Sequence, residues 1–190
     1  MRERIRELID EALESVRRLD DAHAASLESA ARLLIDCFGR GGAVLVCGNG
    51  GSAADAQHIA GELVGRYRKE RAALNCIALT ANSSNLTAIA NDYAYDRVFA
   101  RQVEAHLRAG DVLWAISTSG TSPSVVTAAE GARSRGGKVL AFTGQSGGKL
   151  ADSSDVCFRA PATATYAVQQ IHQIGYHVVC ELVEQAMSRR

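Results

Sequence analysis

Apolar residues recur at three- and four-residue intervals through Ile5, Leu8, Ile9, Ala12, Leu13, Val16 and Leu19, which predicts an amphipathic helix over the first twenty residues. A second helix is expected over 25–38, ended by Gly39-Arg40-Gly41-Gly42. Beyond Gly42 the pattern changes. Short continuous apolar runs at 43–47, 76–80, 112–116, 139–143 and 156–159 read as strands, and they alternate with helical stretches at 53–67, 85–91 with 96–108, 124–135 and 164–187. Unbroken apolar strands separated by helices predict an α/β fold, a three-layer αβα sandwich whose five-stranded parallel sheet is covered on both faces. One domain over 1–190 is expected, with its core in 40–190 and a helical segment in 1–39. The stripe on the first helix precedes every strand, so either a neighbouring subunit or its own chain must cover it.

Composition narrows the picture. With 190 residues, 47% of them hydrophobic, and only two prolines, the chain can bury a core and is not a disordered segment. Its 21 Lys and Arg balance its 21 Asp and Glu, so no broad field points to nucleic acid or an anionic membrane, and any anionic ligand must be held locally. The five cysteines, Cys37, Cys47, Cys76, Cys157 and Cys180, have no C-x-x-C spacing and read as reduced buried thiols. Met1-Arg2-Glu3-Arg4 opens a charged amphipathic pattern, not an apolar signal core, and no apolar stretch approaches membrane-spanning length. A soluble cytoplasmic protein is expected.

In open parallel sheets ligands bind beyond the carboxyl ends of the strands, so the loops that follow strands carry the candidate chemistry. Three are rich in glycine or hydroxyls: 48–52, 117–122 and 144–148. In the second, Ser117, Thr118, Ser119, Thr121 and Ser122 directly follow an apolar strand, and Pro123 suits the first position of a helix with Ser122 as its N-cap. Helix-terminal N–H groups facing that many hydroxyls make an anion site without lysine or arginine, fit for a phosphate; the alternative is a polar turn with an ordinary cap. Gly48 to Ala53 formally satisfies G-x-G-x-x-A, yet Thr80-Ala81-Asn82-Ser83 supplies no acid for a ribose and no G-x-x-x-x-G-K-[ST] occurs, so no nucleotide cofactor is expected. The glycines instead let backbone and Asn49 approach a sugar, and Ser52 is expected to cap the following helix with Asp55 three residues on.

On that helix His58 and Glu62 stand four apart and share a face, a pair able to hold a metal or to set a carboxylate beside an imidazole. Glu62 also stands four before Arg66, so an exposed salt bridge is the competing reading. The last helix places Gln169, His172, Gln173 and His177 among apolar residues, where buried polar groups need partners. Gln169, Gln173 and His177 follow four-residue steps, while His172 points elsewhere and suits a core histidine. His177 is the stronger functional candidate.

Cys47-Gly48-Asn49-Gly50-Gly51-Ser52, the run from Gln57 to Tyr67, Ala90-Asn91-Asp92, Ile116 to Gly120 and Gln169 to His177 resemble, in order and spacing, the sugar isomerase (SIS) domain family and within it the bacterial phosphoheptose isomerases. The resemblance implies a flavodoxin-like fold. It also implies an aldose–ketose isomerase, an intramolecular oxidoreductase that converts sedoheptulose 7-phosphate to D-glycero-D-manno-heptose 7-phosphate through an enediol. Carried over by position, Glu62 is the base and His177 the proton shuttle. Ser117, Thr118, Ser119 and Ser122 hold the phosphate, and Asn49, Gly50, Gly51, Ser52, Asn91, Asp92 and Gln169 contact the substrate. His58, Glu62, Gln169 and His177 match a zinc site of the family, and a homotetramer with active sites between subunits is implied. Where relatives often carry Arg-Ile-Gln-Glu, this chain has Ala167-Val168-Gln169-Gln170, so only Gln169 of that run carries over. Two other functions stay open: a non-catalytic regulator of the type that binds the replication initiator, and a sugar-phosphate sensor. Neither has a use for Glu62 and His177.

Overall fold

The structure, a computed structural model, describes residues 1–188. Five strands form one parallel sheet: β1 (Val44–Gly48), β2 (Cys76–Ala78), β3 (Val112–Ser117), β4 (Lys138–Thr143) and β5 (Val156–Arg159), in the order β2-β1-β3-β4-β5. Side chains alternate between its faces, and because helices cover both, β1 and β3 are buried along their whole length. Val46, Trp114, Ile116, Phe142 and Phe158 pack on one side with α2 (Asp21–Gly39), α3 (Gly51–Val64) and α8 (Thr165–Met187). Leu45, Cys47, Leu113, Ala115 and Val139 pack on the other with α5 (Ala100–His106) and α6 (Pro123–Ser134), where α4 (Ser83–Asp92) and α7 (Gly148–Asp152) also lie. This is the expected αβα sandwich.

Several boundaries move for local reasons. A reciprocal cap starts α2 before residue 25: Asp20 Oδ1 accepts the His23 N–H at 3.1 Å, and His23 Nδ1 accepts the Asp20 N–H at 3.3 Å. The helix expected over 96–108 is divided into a 3₁₀ turn at Tyr95–Arg97 and α5. Helix α7 has no counterpart in the sequence pattern because its start at Gly147 and Gly148 reads as loop. Four cysteines are buried free thiols, but Cys157, on the edge strand β5, is partly exposed, which corrects the expectation that all five are buried.

Helix α1 (Arg2–Arg17) buries none of its residues. Ile5, Leu8, Ile9, Leu13 and Val16 remain 37–54% exposed, so these five positions of the stripe read from the sequence are not covered by their own chain, whereas Ala12 is partly buried and Leu19, beyond the helix end, packs against the core. No described helix is long and apolar enough to cross a membrane.

From β1 the chain lays β2 on one side and then crosses to β3 on the other, so a crevice opens where the carboxyl ends of β1 and β3 lie side by side, Gly48 opposite Ile116.

Candidate active site

At that crevice Asn49, Gly50, Gly51, Ser52, Ile116, Ser117, Thr118, Ser122, Thr165 and Gln169 line a cleft of about 300 Å³. None of them is charged, so an anion there would meet neutral donors and helix N-termini. Gly50 takes φ +56° at the N-cap of α3, a conformation that suits only glycine, and the helix starts at Gly51. The expected Ser52–Asp55 cap is therefore not formed: Ser52 lies buried inside the first turn and Asp55 turns toward α8. Ser122 does occupy the N-cap of α6 with Pro123 at its first position, yet its hydroxyl meets Ser117 Oγ at 3.0 Å and leaves the helix without a side-chain cap. Both helices thus begin at the cleft with no side chain spent on their N-terminal N–H groups.

The cleft wall is braced from behind. Asn49 donates to Ser124 Oγ at 3.0 Å and accepts from the Tyr95 hydroxyl at 2.9 Å, which fixes its amide. Gln169 lies so close to Gly51 that a Cβ at that glycine would strike its side-chain amide. The third glycine-rich loop serves packing: Leu150 donates its N–H to Gly120 O at 2.9 Å, and the backbone of Gly147 and Gly148 presses on Gly120. Ser119 is exposed and outside the lining, its hydroxyl accepting from Thr121 N–H at 3.2 Å. Asn91 and Asp92 also lie outside it, exposed at the end of α4 and bonded to each other at 2.9 Å.

Farther along α3 and α8 a second group converges. Nε2 of His58 is 3.0 Å from Glu62 Oε1 and 3.5 Å from His177 Nε2, and one ligand atom from each of the three lies within 4.8 Å of the others. The alternative pairing of Glu62 with Arg66 is not formed among the described residues. Tyr67 stacks on His177 with ring centroids 5.7 Å apart, and Tyr176 lies beneath His58 with its hydroxyl 3.0 Å from Nδ1. Burial, together with His58 beside it, pushes the His177 imidazole below its ordinary value, against the pull of Glu62. Two imidazoles and a carboxylate are a donor set suited to zinc. Gln169 is not part of this convergence; it stands two turns before His177, in the cleft. His172 lies apart as expected, donating from Nε2 to Thr143 O at 3.0 Å, and burial pushes it down to about 4, so it is a neutral core residue.

The loop between α3 and β2 is tied to α8 by Glu184, whose buried carboxylate accepts the N–H groups of Tyr67, Arg68 and Lys69 at 2.8, 2.7 and 2.7 Å. Arg71, whose side chain is also buried, donates to Glu62 O at 2.7 Å and stands 3.7 Å from Glu184. Burial alone would raise the Glu184 pKa, but the N–H donors of Arg68, Lys69 and Tyr67, with Arg71, outweigh it and hold the carboxyl below its ordinary 4.5. A depressed carboxylate contributes stability that is present above its unfolded value and lost as pH falls through the folded one. Hydrogen-exchange protection of the Tyr67, Arg68 and Lys69 amides, referenced to the intrinsic rate at each pH, should therefore hold down to about pH 4.5 and fall below it. In Glu184→Gln that protection should be weak throughout; unchanged protection in the variant would contradict the clamp.

Sequence reasoning passed over Tyr67, Tyr95, Thr165, Tyr176 and Glu184. Tyr176 and Glu184 left a signal: both are polar positions on the apolar side of α8, where each needs a partner.

The SIS domain model matches residues 7–144. A phosphoheptose isomerase of Rhodospirillum rubrum is 50% identical over 187 residues, spanning 98% of this chain and 99% of that protein. The solved phosphoheptose isomerase of Neisseria gonorrhoeae superposes with a TM-score of 0.90 at 40% identity, covering 96% of this chain and 98% of that one. That of Francisella tularensis superposes with a TM-score of 0.92 at 33% identity, covering 96% and 97%.

Proposed function

The chain belongs to the phosphoheptose isomerases of the SIS domain family, and on that premise we propose how it interconverts sedoheptulose 7-phosphate and D-glycero-D-manno-heptose 7-phosphate. The observation that carries the reading is the placement of two sites along one pair of helices. Gly51 and Gln169 face the uncharged cleft, and His58 and His177 stand seven and eight residues farther along α3 and α8, about 10–12 Å of helix rise. An extended seven-carbon sugar phosphate spans such a gap. Its phosphate sits against Ser117, Thr118 and Ser122 at the start of α6, with Ser119 on the exposed side of that loop, its hydroxyls meet Asn49 and Gln169, and its first two carbons reach Glu62 and His177; Asn91 and Asp92, substrate contacts that the family resemblance implies, lie outside this cleft.

Isomerisation moves a proton between adjacent carbons. Glu62 takes the proton from C1 of the ketose while His177 gives one to the C2 oxygen, forming the enediol; His177 then removes the proton of the C1 hydroxyl and Glu62 returns its own to C2. A glutamate at the edge of a partly buried cluster and an imidazole that burial and His58 push below its ordinary value suit these exchanges. His58, Glu62 and His177 would hold a zinc ion, while Gln169, the fourth residue of the set the resemblance implies, faces the cleft two turns away. Such an ion supplies polarisation of the sugar oxygens when bound. A regulator or a phosphate sensor needs the cleft alone and leaves the cluster without a task.

Incubation with sedoheptulose 7-phosphate should yield the aldose 7-phosphate, and no conversion by the parent with and without zinc would overturn the reading. The phosphate assignment has a separate check by calorimetric titration with the sugar phosphate. Ser119→Ala and Ser122→Ala each remove a donor to a charged oxygen and should weaken binding by about 1.5–3 kcal/mol with the fold intact. Equal affinity in both variants would move the phosphate elsewhere.

The exposed stripe on α1 supports assembly, and a homotetramer with active sites between subunits is the arrangement we assign. Deletion of residues 1–20 should then dissociate or aggregate the protein in sedimentation. A truncated chain that still sediments as a tetramer would show that the stripe takes no part.

A further inference from the structure

His58 carries a hydrogen-bond chain on the side away from the reacting cluster. Its Nδ1 is 3.0 Å from the Tyr176 hydroxyl, which in turn is 3.4 Å from Asp55 Oδ1, and Asp55 Oδ2 is buried with no partner among the described residues. A tyrosine hydroxyl has one proton to give. If it went to His58 Nδ1, the half-buried Asp55 side chain would have no donor at either oxygen, leaving a desolvated carboxylate unsatisfied. If it goes to Asp55, the tyrosine oxygen accepts from His58 Nδ1–H and every group but Asp55 Oδ2 is served. The second arrangement leaves the lone pair of neutral His58 on Nε2, the atom that faces Glu62 and His177 at 3.0 and 3.5 Å.

We propose that Asp55 and Tyr176 are positioning residues that lock His58 in the Nδ1–H tautomer and so present Nε2 to the Glu62–His177 cluster as an electron-pair donor. The inference rests on the reading of that cluster as the reacting and metal-holding group. All the parts come from two helices: Asp55, His58 and Glu62 lie on successive turns of α3, and Tyr176 and His177 are adjacent on α8. The buried Tyr176 ring, with its centroid 5.3 Å from that of His58, fixes the ring plane while its hydroxyl fixes the proton. Hydrogen bonds of this kind to the far nitrogen of a ligating histidine set both its tautomer and its basicity.

The test reads the tautomer directly. Full-length protein labelled with ¹⁵N-histidine, treated with a chelator and held at pH 8, should show the His58 ring protonated at Nδ1 in a long-range ¹H–¹⁵N correlation, with the signal assigned by its loss in His58→Asn. Tyr176→Phe keeps the buried ring and removes only the hydroxyl; His58 should then shift toward the Nε2–H form while His172 stays as it was. In parallel, Co²⁺ titration followed by its visible absorption should show about 10–100-fold weaker binding in Tyr176→Phe and in Asp55→Asn. A purely structural role for Tyr176 would lower the melting temperature and move neither readout. Parent protein with His58 in the Nε2–H form, or a Tyr176→Phe variant with unchanged tautomer and cobalt affinity, would overturn the proposal. A parent that shows the Nδ1–H form but does not isomerise the sugar would uphold the tautomer lock and remove the isomerase reading instead.

Discussion

Glu62→Gln and His177→Gln should each lose about 10²–10⁴-fold in turnover, which corresponds to roughly 2.7–5.5 kcal/mol of barrier. Each substitution keeps nearly the shape of the side chain or its polarity and removes its ability to exchange a proton at neutral pH. The two groups belong to different helices and meet around His58, whose Nε2 lies 3.0 Å from one and 3.5 Å from the other. Substrate should still bind to both variants, because the cleft proposed for the phosphate lies two turns away on the same helices. Loss of a metal ligand would lower turnover in the same way. Rates are therefore to be compared after chelation and after zinc is restored, with the metal content of each variant measured. A Glu62→Gln protein that isomerises at the parent rate would show that the base is another residue.

Gly120→Ala should cost about 2–5 kcal/mol of stability, the sum of a left-handed backbone penalty and a steric conflict. Gly120 sits at φ +66°, and a Cβ there would fall on the Gly147 carbonyl, a backbone atom that cannot swing aside. The conflict would part the serine loop from the 144–148 loop and displace Ser117, whose hydroxyl accepts the Gly120 N–H at 3.2 Å. Gly41→Ala is the matched control, since Gly41 has φ +76° with nothing within 4 Å of a built Cβ. It should lose only the backbone part, about 1–2 kcal/mol. Calorimetric midpoints of the two variants decide the matter, with about 2–4 °C expected per kcal/mol for a chain of this size. Equal shifts would mean that the two loops are not locked together.

What could be read in the sequence is what local pattern controls. Unbroken apolar runs such as Val112 to Ile116 announce strands buried on both faces, and Ser122-Pro123 announces a helix start whatever lies around it. The same local logic failed at Ser52, because it could not foresee that Gly50 would take a positive φ and start α3 earlier. Roles that depend on which helices become neighbours were out of reach. His177 is more than a hundred residues of chain away from the His58–Glu62 pair, and only the packing of α3 on α8 brings its Nε2 to them. Glu184 reads as one more acid on a long helix until the Tyr67–Lys69 backbone folds onto it. The apolar stripe of α1 is plain in the sequence, and most of it stays exposed in the folded chain.

The central claim, that Glu62 and His177 pass a proton between C1 and C2 of a heptose phosphate held by the serine loop, is tested most directly by isotope exchange. The parent protein is incubated with sedoheptulose 7-phosphate in D₂O, with and without zinc, and the sugar is followed by NMR. The account predicts conversion to D-glycero-D-manno-heptose 7-phosphate with deuterium at C2 of the aldose and, through the reverse reaction, at C1 of the ketose, and no incorporation by Glu62→Gln. Absence of both product and deuterium at C1 in the parent, whatever the metal state, would contradict it and leave the cleft to a protein that binds sugar phosphates without changing them.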